Sequence, residues 1–249
     1  MIRLTQFSTQ TSKGVNIFGE YEGNELFDQV VVFSHGFGLQ RDNRGKFIEL
    51  SEVLKEKYIV VRFDYNEILA DGSLLVPKLD KQVEKLKKVL VFVRKVFPDA
   101  KVNVVAHSLG CVILGYLNPD NIKKVILSAP PVKASGQDFN KNFSYRFEAT
   151  NKYGADIKIR RSDGSFTYLK EGFVTSLEKN KPYESYINLS LKCNLSAIIA
   201  TNDSQLDYKD YSQMLSEKPF NIIRIKADHD FGGIARKKWI KAVKDLLKL

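Results

Sequence analysis

Short, nearly continuous apolar runs alternate along the chain with longer segments whose apolar residues recur every three or four positions. The runs at 29–34, 58–63, 102–106, 124–128, 197–200 and 221–225 are rich in Val and Ile and show no in–out alternation. Strands of that kind are buried on both faces, as in a parallel sheet covered by helices. Between them, helical periodicity predicts helices over about 43–57, 79–97, 109–117, 205–216 and 233–248. In the second, Leu79, Val83, Leu86, Leu90, Val93 and Phe97 form one buried stripe. The order predicts an α/β fold built on a mostly parallel open sheet. The first 28 residues predict one or two antiparallel edge strands, with a turn at Glu22-Gly23-Asn24.

The rhythm breaks over 132–192, where aromatic residues such as Phe139, Phe143, Phe147, Tyr168 and Phe173 accumulate without the pattern of a parallel strand. Within it, 157–161 and 166–169 flank Asp163-Gly164. Asp-Gly between two extended runs is a hairpin signal, because both central residues of a type I′ turn need positive φ. A stretch this long predicts an inserted cap containing a β-hairpin, set into a core of 1–131 and 193–249.

Composition narrows the class. The chain has 249 residues, 43% hydrophobic and 27% charged, which excludes disorder and low-complexity architectures. Two cysteines make neither a disulfide framework nor a Cys-rich zinc site, and Cys111 and Cys193 read as small packing residues. No apolar run approaches the roughly 20 residues of a membrane span. The start shows no apolar segment followed by a small-residue cleavage site, so a cytoplasmic protein is expected. The net charge of +10 raises nucleic-acid binding as an alternative. The lysines, however, are interleaved with the apolar stripes of helices and are expected on solvated faces, with at most a weak preference for anionic substrates.

Two stretches carry chemistry. Val104-Val105-Ala106-His107-Ser108-Leu109-Gly110 runs from a buried strand straight into a helix. Small-x-Ser-x-Gly at that junction is a nucleophile elbow: the turn is so tight that the positions two before and two after the serine must be small. Here Ala106 stands where glycine is usual. Ser34-His35-Gly36-Phe37-Gly38 also follows a buried strand, and its glycines let backbone N–H groups turn toward the serine. The N–H groups of Phe37 and Leu109 are the expected oxyanion hole. His35 is expected to brace the loop rather than act as a base.

Together with Arg62-Phe63-Asp64-Tyr65, these motifs resemble the α/β-hydrolase superfamily. The likeness is to its serine esterase and lipase-like branch, which includes cinnamoyl (feruloyl) esterases and serine-aminopeptidase-type hydrolases. In two respects the chain departs from the pattern, one being that the stretch 132–192 matches none of the family's specificity classes. The other is that, where the family often continues with a Gly-x-Gly-x-Ser turn, the chain has Asn66-Glu67-Ile68-Leu69-Ala70-Asp71-Gly72. The resemblance implies the order serine, acid, histidine. His229 is the one histidine after Ser108, and it follows an apolar strand where the family places the base. Asp203, at the end of the strand 197–200, matches the family's acid, with Asp207 as its rival; Asp228 and Asp230 are expected to point elsewhere. No metal-ligand spacing and no phosphate loop occurs, so no cofactor and no metal are expected.

The expectation is a serine esterase acting on small-molecule esters of small or medium acyl or aryl groups, with no nucleic acid and no membrane span involved. Thioester or small-amide hydrolysis would use the same groups. A non-catalytic ligand-binding protein on a hydrolase fold is the alternative of another class.

Overall fold

The computed structural model describes residues 4–133, 139–140, 143–178 and 180–248. Residues 1–3 and 249 and, within the expected insert, 134–138, 141–142 and 179 lie outside the described residues. From the N-terminus the chain forms β1 (Thr5–Gln10), β2 (Asn16–Glu22), β3 (Gln29–Ser34), α1 (Lys46–Leu54), β4 (Ile59–Phe63), β5 (Glu67–Ile68) and β6 (Leu74–Val76). There follow α2 (Leu79–Val96), β7 (Lys101–His107), α3 (Leu109–Leu117), β8 (Lys124–Ser128), β9 (Phe147–Ala149), β10 (Ala155–Arg160) and β11 (Phe166–Lys170). The last third comprises α4 (Phe173–Glu178), α5 (Pro182–Ser190), β12 (Asn194–Ala200), α6 (Ser212–Glu217), β13 (Asn221–Ile225) and α7 (Ile234–Lys248).

Eight strands form the main sheet in the order β1-β2-β4-β3-β7-β8-β12-β13. The pairs from β4 to β13 are parallel, while β1 and β2 run antiparallel at one edge. Both faces are covered, which explains the unbroken apolar runs. In β3, Val30 and Val32 enter one core with α2 and α3, and Val31 and Phe33 enter the other with α1 and α7. Each such side chain, fully buried, contributes about 1.5–3 kcal/mol.

From β3 the chain passes first to β4 on one side and later, through β7, to the other side of the sheet. A crevice therefore opens beyond the carboxyl ends of β3 and β7, where the strand order reverses. Ser34 pairs with Ala106 across this seam, so the segments that follow the two strands emerge side by side.

A second sheet has the order β5-β6-β11-β10-β9. Its β10 and β11 pair antiparallel, from Ile157↔Leu169 to Arg160↔Phe166, on either side of Asp163-Gly164. The segment 132–192 does not make this sheet alone: β6 pairs in parallel with β11, and β5 follows β6 at the edge. The unusual stretch after Tyr65 thus supplies two of its five strands, β5 and β6.

Two expectations shift in detail. The helix expected from 205 starts later, as a 3₁₀ turn at Tyr208–Tyr211 followed by α6. The reason is local: the Asp203 carboxylate accepts the N–H groups of Gln205 and Leu206. Lys85 is not on the solvated face of α2; it is buried, and its Nζ donates to the Tyr65 carbonyl at 2.8 Å. Among the described residues no helix is long and apolar enough to cross a membrane.

Candidate active site

Ser108 sits between β7 and α3 with φ 52° and ψ −123°, a backbone conformation that side chains rarely adopt. Such a residue costs about 1–3 kcal/mol and persists only where its surroundings hold it. The hold is visible. Ser108 N–H donates to the Ser128 carbonyl at 3.0 Å, and the N–H of Cys111 donates to the Ser108 carbonyl at 2.9 Å. A Cβ at Gly110 would collide with the carbonyl oxygen of Ser34 and lie 2.7 Å from that of His35. This explains the glycine two residues after the serine, while Ala106 fits in full burial inside β7.

The loop after β3 lies against this elbow. A Cβ on Gly36 would be 3.4 Å from the Ser108 Cβ. His35 is fully buried; its Nδ1–H donates to the Gly36 carbonyl at 2.9 Å, and its Nε2 accepts the Tyr65 N–H at 3.0 Å. Burial lowers its pKa, so it is a neutral brace with a fixed tautomer. Further along, Asp64 at the end of β4 accepts the backbone N–H of Arg41 at 2.7 Å and grips its guanidinium at 2.7 and 2.8 Å. Between these anchors lies Phe37. Among the described residues, neither its N–H nor that of Leu109 has an acceptor.

The other two groups arrive from the far side of the sheet. Asp203 follows β12 and His229 follows β13. His229 Nδ1–H donates to Asp203 Oδ2 at 2.6 Å, and His229 Nε2 lies 2.9 Å from Ser108 Oγ. The Asp203 side chain is wholly buried, and its Oδ1 accepts the backbone N–H groups of Gln205 at 2.8 Å and Leu206 at 3.0 Å. A carboxylate opposite Nδ1 fixes the proton there, leaving the Nε2 lone pair facing the serine. The rival Asp207 caps the 3₁₀ turn by accepting the Lys209 N–H at 2.9 Å. Asp228 accepts the Gly232 N–H, and Asp230 pairs with Arg44. Ser108, Asp203 and His229 are thus brought together, and the other aspartates are engaged elsewhere.

Two buried residues to which the sequence assigned no role lie nearby, His107 bonded to the His229 backbone and Lys46 against Phe231 and Trp239. His107 is buried and its Nε2–H donates to the His229 carbonyl at 3.0 Å; desolvation pushes its pKa well below the usual histidine range, so the ring is neutral. Lys46 is buried on the same side, with its Nζ 5.6 Å from the ring centres of both Phe231 and Trp239 and no hydrogen-bond partner. Desolvation pushes its pKa well below the usual lysine range. A lone lysine at the start of an amphipathic helix reads as surface, so nothing local marked it. Cys111 is buried and its thiol donates to the Ser128 carbonyl, a packing position.

Ser108 and His229 open onto a cleft of about 540 Å³. Its apolar wall includes Phe37, Phe139 and Phe143, whose rings lie 4.8–5.4 Å apart. Arg161, beside the β10–β11 turn, also lines it and donates to the Gly38 carbonyl at 3.2 Å. Among the described residues no group of three His, Cys, Asp or Glu side chains converges as metal ligands do.

No family model matches the sequence, and no match is found among curated proteins. Solved structures do match. The chain is similar to the esterase domain of a Rhodothermus marinus protein, with TM-score 0.70 and 14% identity over 97% of this chain and 96% of that one. It is similar to Est1E from Butyrivibrio proteoclasticus, with TM-score 0.69 and 15% identity over 96% and 97%. It is also similar to the α/β hydrolase GrgF from Penicillium sp. sh18, with TM-score 0.73 and 13% identity over 99% and 98%. Likeness at such identities is likeness of fold, and with a tight strand–turn–helix at Ser108 after the fifth strand of its eight-stranded sheet order the chain has the α/β-hydrolase fold.

Proposed function

We propose that this protein is a serine hydrolase of carboxylic esters, with Ser108 as nucleophile, His229 as general base and acid, and Asp203 as the group that orients His229. One observation carries the reading: Ser108 Oγ, the His229 ring and the Asp203 carboxylate form a continuous chain at 2.9 and 2.6 Å. His229 Nε2 takes the serine proton as Oγ attacks the ester carbonyl. The Phe37 and Leu109 N–H groups donate to the tetrahedral oxyanion, aided by the positive end of α3. His229 then protonates the departing alcohol, and water attacks the acyl-enzyme by the same route. Asp203 holds the Nδ1–H tautomer throughout and stabilises the imidazolium.

The second sheet acts as a lid. Its β11 residue Thr167 stands against Gly38, and Arg161 is bonded to the same loop. The aromatic wall of the cleft suits an apolar acyl or aryl group and excludes water from the ester. Hydrolysis of p-nitrophenyl esters of rising chain length tests the reading. Wild-type turnover should fall about 10⁶-fold in Ser108→Ala and in His229→Ala. Hydrolysis that survives Ser108→Ala overturns it.

A further inference from the structure

The charge around the cleft is lopsided. Its lining carries Arg44, Lys133, Arg146 and Arg161, with Asp230 as the one acidic side chain among the described residues that line it. Two of the four cations have close acidic partners: Arg44 pairs with Asp230 at 2.7 Å and Lys133 with Asp210 at 2.7 Å. The other two are less fully neutralised. Arg146 donates to the Arg160 carbonyl at 2.8 Å and, among the described residues, has no carboxylate within ion-pair distance. Arg161 donates to the Gly38 carbonyl and makes only a long ion pair, its Nε 3.7 Å from Asp163 Oδ2. The other oxygen of that carboxylate, Oδ1, accepts the N–H and hydroxyl of Ser165, which share its charge.

Both arginines line the same cleft, and Arg146 is bonded to the backbone of Arg160, the residue that precedes Arg161. Like charges lining one cleft reinforce each other's field, which low-dielectric walls focus into it. A guanidinium fork matches an oxyanion with two parallel N–H···O bonds, and such charge-assisted bonds are the strong ones. Arg161 is further tied to Gly38, next to the Phe37 N–H proposed to hold the reacting carbonyl oxygen. An anion bound there would sit within the same molecule as the scissile ester.

We propose that the preferred substrates are anionic esters, with an apolar body against Phe37, Phe139 and Phe143 and a carboxylate or phosphate held by Arg161 and Arg146. The inference rests on the hydrolase reading and sharpens its substrate class.

Matched pairs test it. Monomethyl adipate against dimethyl adipate places a carboxylate on the acyl side. For the leaving-group side, p-acetoxybenzoate is compared with its methyl ester, and p-acetoxyphenyl phosphate against p-acetoxyanisole separates phosphate from carboxylate. The expected result is a kcat/KM for at least one anion about tenfold or more above its neutral match, the lower range for one charge-assisted bond. That ratio should shrink between 0.1 M and 1 M salt, as the screening length falls from about 10 Å to about 3 Å. It should approach one in Arg161→Gln and in Arg146→Gln, each read against the neutral ester in the same variant. The salt series on the wild type stands even if a variant fails to fold. Equal or slower turnover of the anion in every pair, with neutral esters still hydrolysed, overturns the proposal and leaves the hydrolase reading standing. No turnover of any ester removes both.

Discussion

Asp203→Asn separates orientation from mere proximity. The asparagine Oδ1 can keep both backbone N–H bonds, from Gln205 and Leu206 at 2.8 and 3.0 Å, so the turn after β12 should persist. What changes is the atom facing His229. An amide NH₂ replaces the carboxylate oxygen now 2.6 Å from Nδ1, and a donor there requires a lone pair on Nδ1. The ring proton moves to Nε2, the nitrogen 2.9 Å from Ser108 Oγ, and the base can no longer accept the serine proton. Exchange of this kind in a triad of this geometry lowers turnover by about 10⁴, equivalent to about 5.4 kcal/mol in the barrier. The assay is kcat on a p-nitrophenyl ester, with a thermal melt on the same preparation. Asp207→Asn is the control, because that carboxylate only caps a surface turn. A loss below tenfold in Asp203→Asn, or an equal loss in Asp207→Asn, refutes the reasoning.

Other substitutions probe the supports. Gly110→Ala forces a methyl into the carbonyl oxygens of Ser34 and His35, both backbone, so circular dichroism melts should show destabilisation of about 1–3 kcal/mol together with loss of activity; unchanged melting would mean that the elbow is not this tight. Lys46→Met removes a buried amine without a hydrogen bond, worth about 1–2 kcal/mol after the weak attraction to two rings is deducted. At this chain length the gain is a rise of roughly 2–8 °C in Tm near pH 7. Its pH dependence has a definite sign. Burial pushes the folded pKa down, so above the folded value the unfolded chain, at about 10.4, binds the extra proton. Wild-type stability is therefore lost as pH falls from the unfolded pKa toward the folded one, and the variant's advantage should shrink as pH rises toward about 10.4, to the part due to the missing hydrogen bond. A variant that melts lower than the wild type near pH 7 would contradict this.

How far the sequence reaches follows from where the information sits. The strands of the main sheet are readable because burial on both faces leaves only apolar side chains, as in Val30 to Phe33, which serve two cores at once. The elbow is readable because its constraint is local: a strand, a forced backbone at Ser108 and a glycine that meets the neighbouring strand's carbonyl all fall within a few residues. Asp203 and Asp207 could not be separated that way, since both follow the same strand and only the fold decides which one meets His229. The second sheet is harder still. Its β6 reaches β11 by parallel pairing across a long stretch of chain, so the apolar run Leu74–Val76 carries no mark of its partner. Arg161 resembles a solvated charge beside a turn until the fold brings it to Gly38, 123 positions away.

The central claim is that Ser108 is an activated nucleophile. A fluorophosphonate probe tests it most directly, because it reacts with a serine only where a base and an oxyanion hole act together, whatever the natural ester. The account predicts one covalent adduct per chain, mapped to Ser108 by peptide mass spectrometry, absent in Ser108→Ala and strongly slowed in His229→Ala. No adduct on the folded wild type, or an adduct that persists after Ser108→Ala, contradicts it.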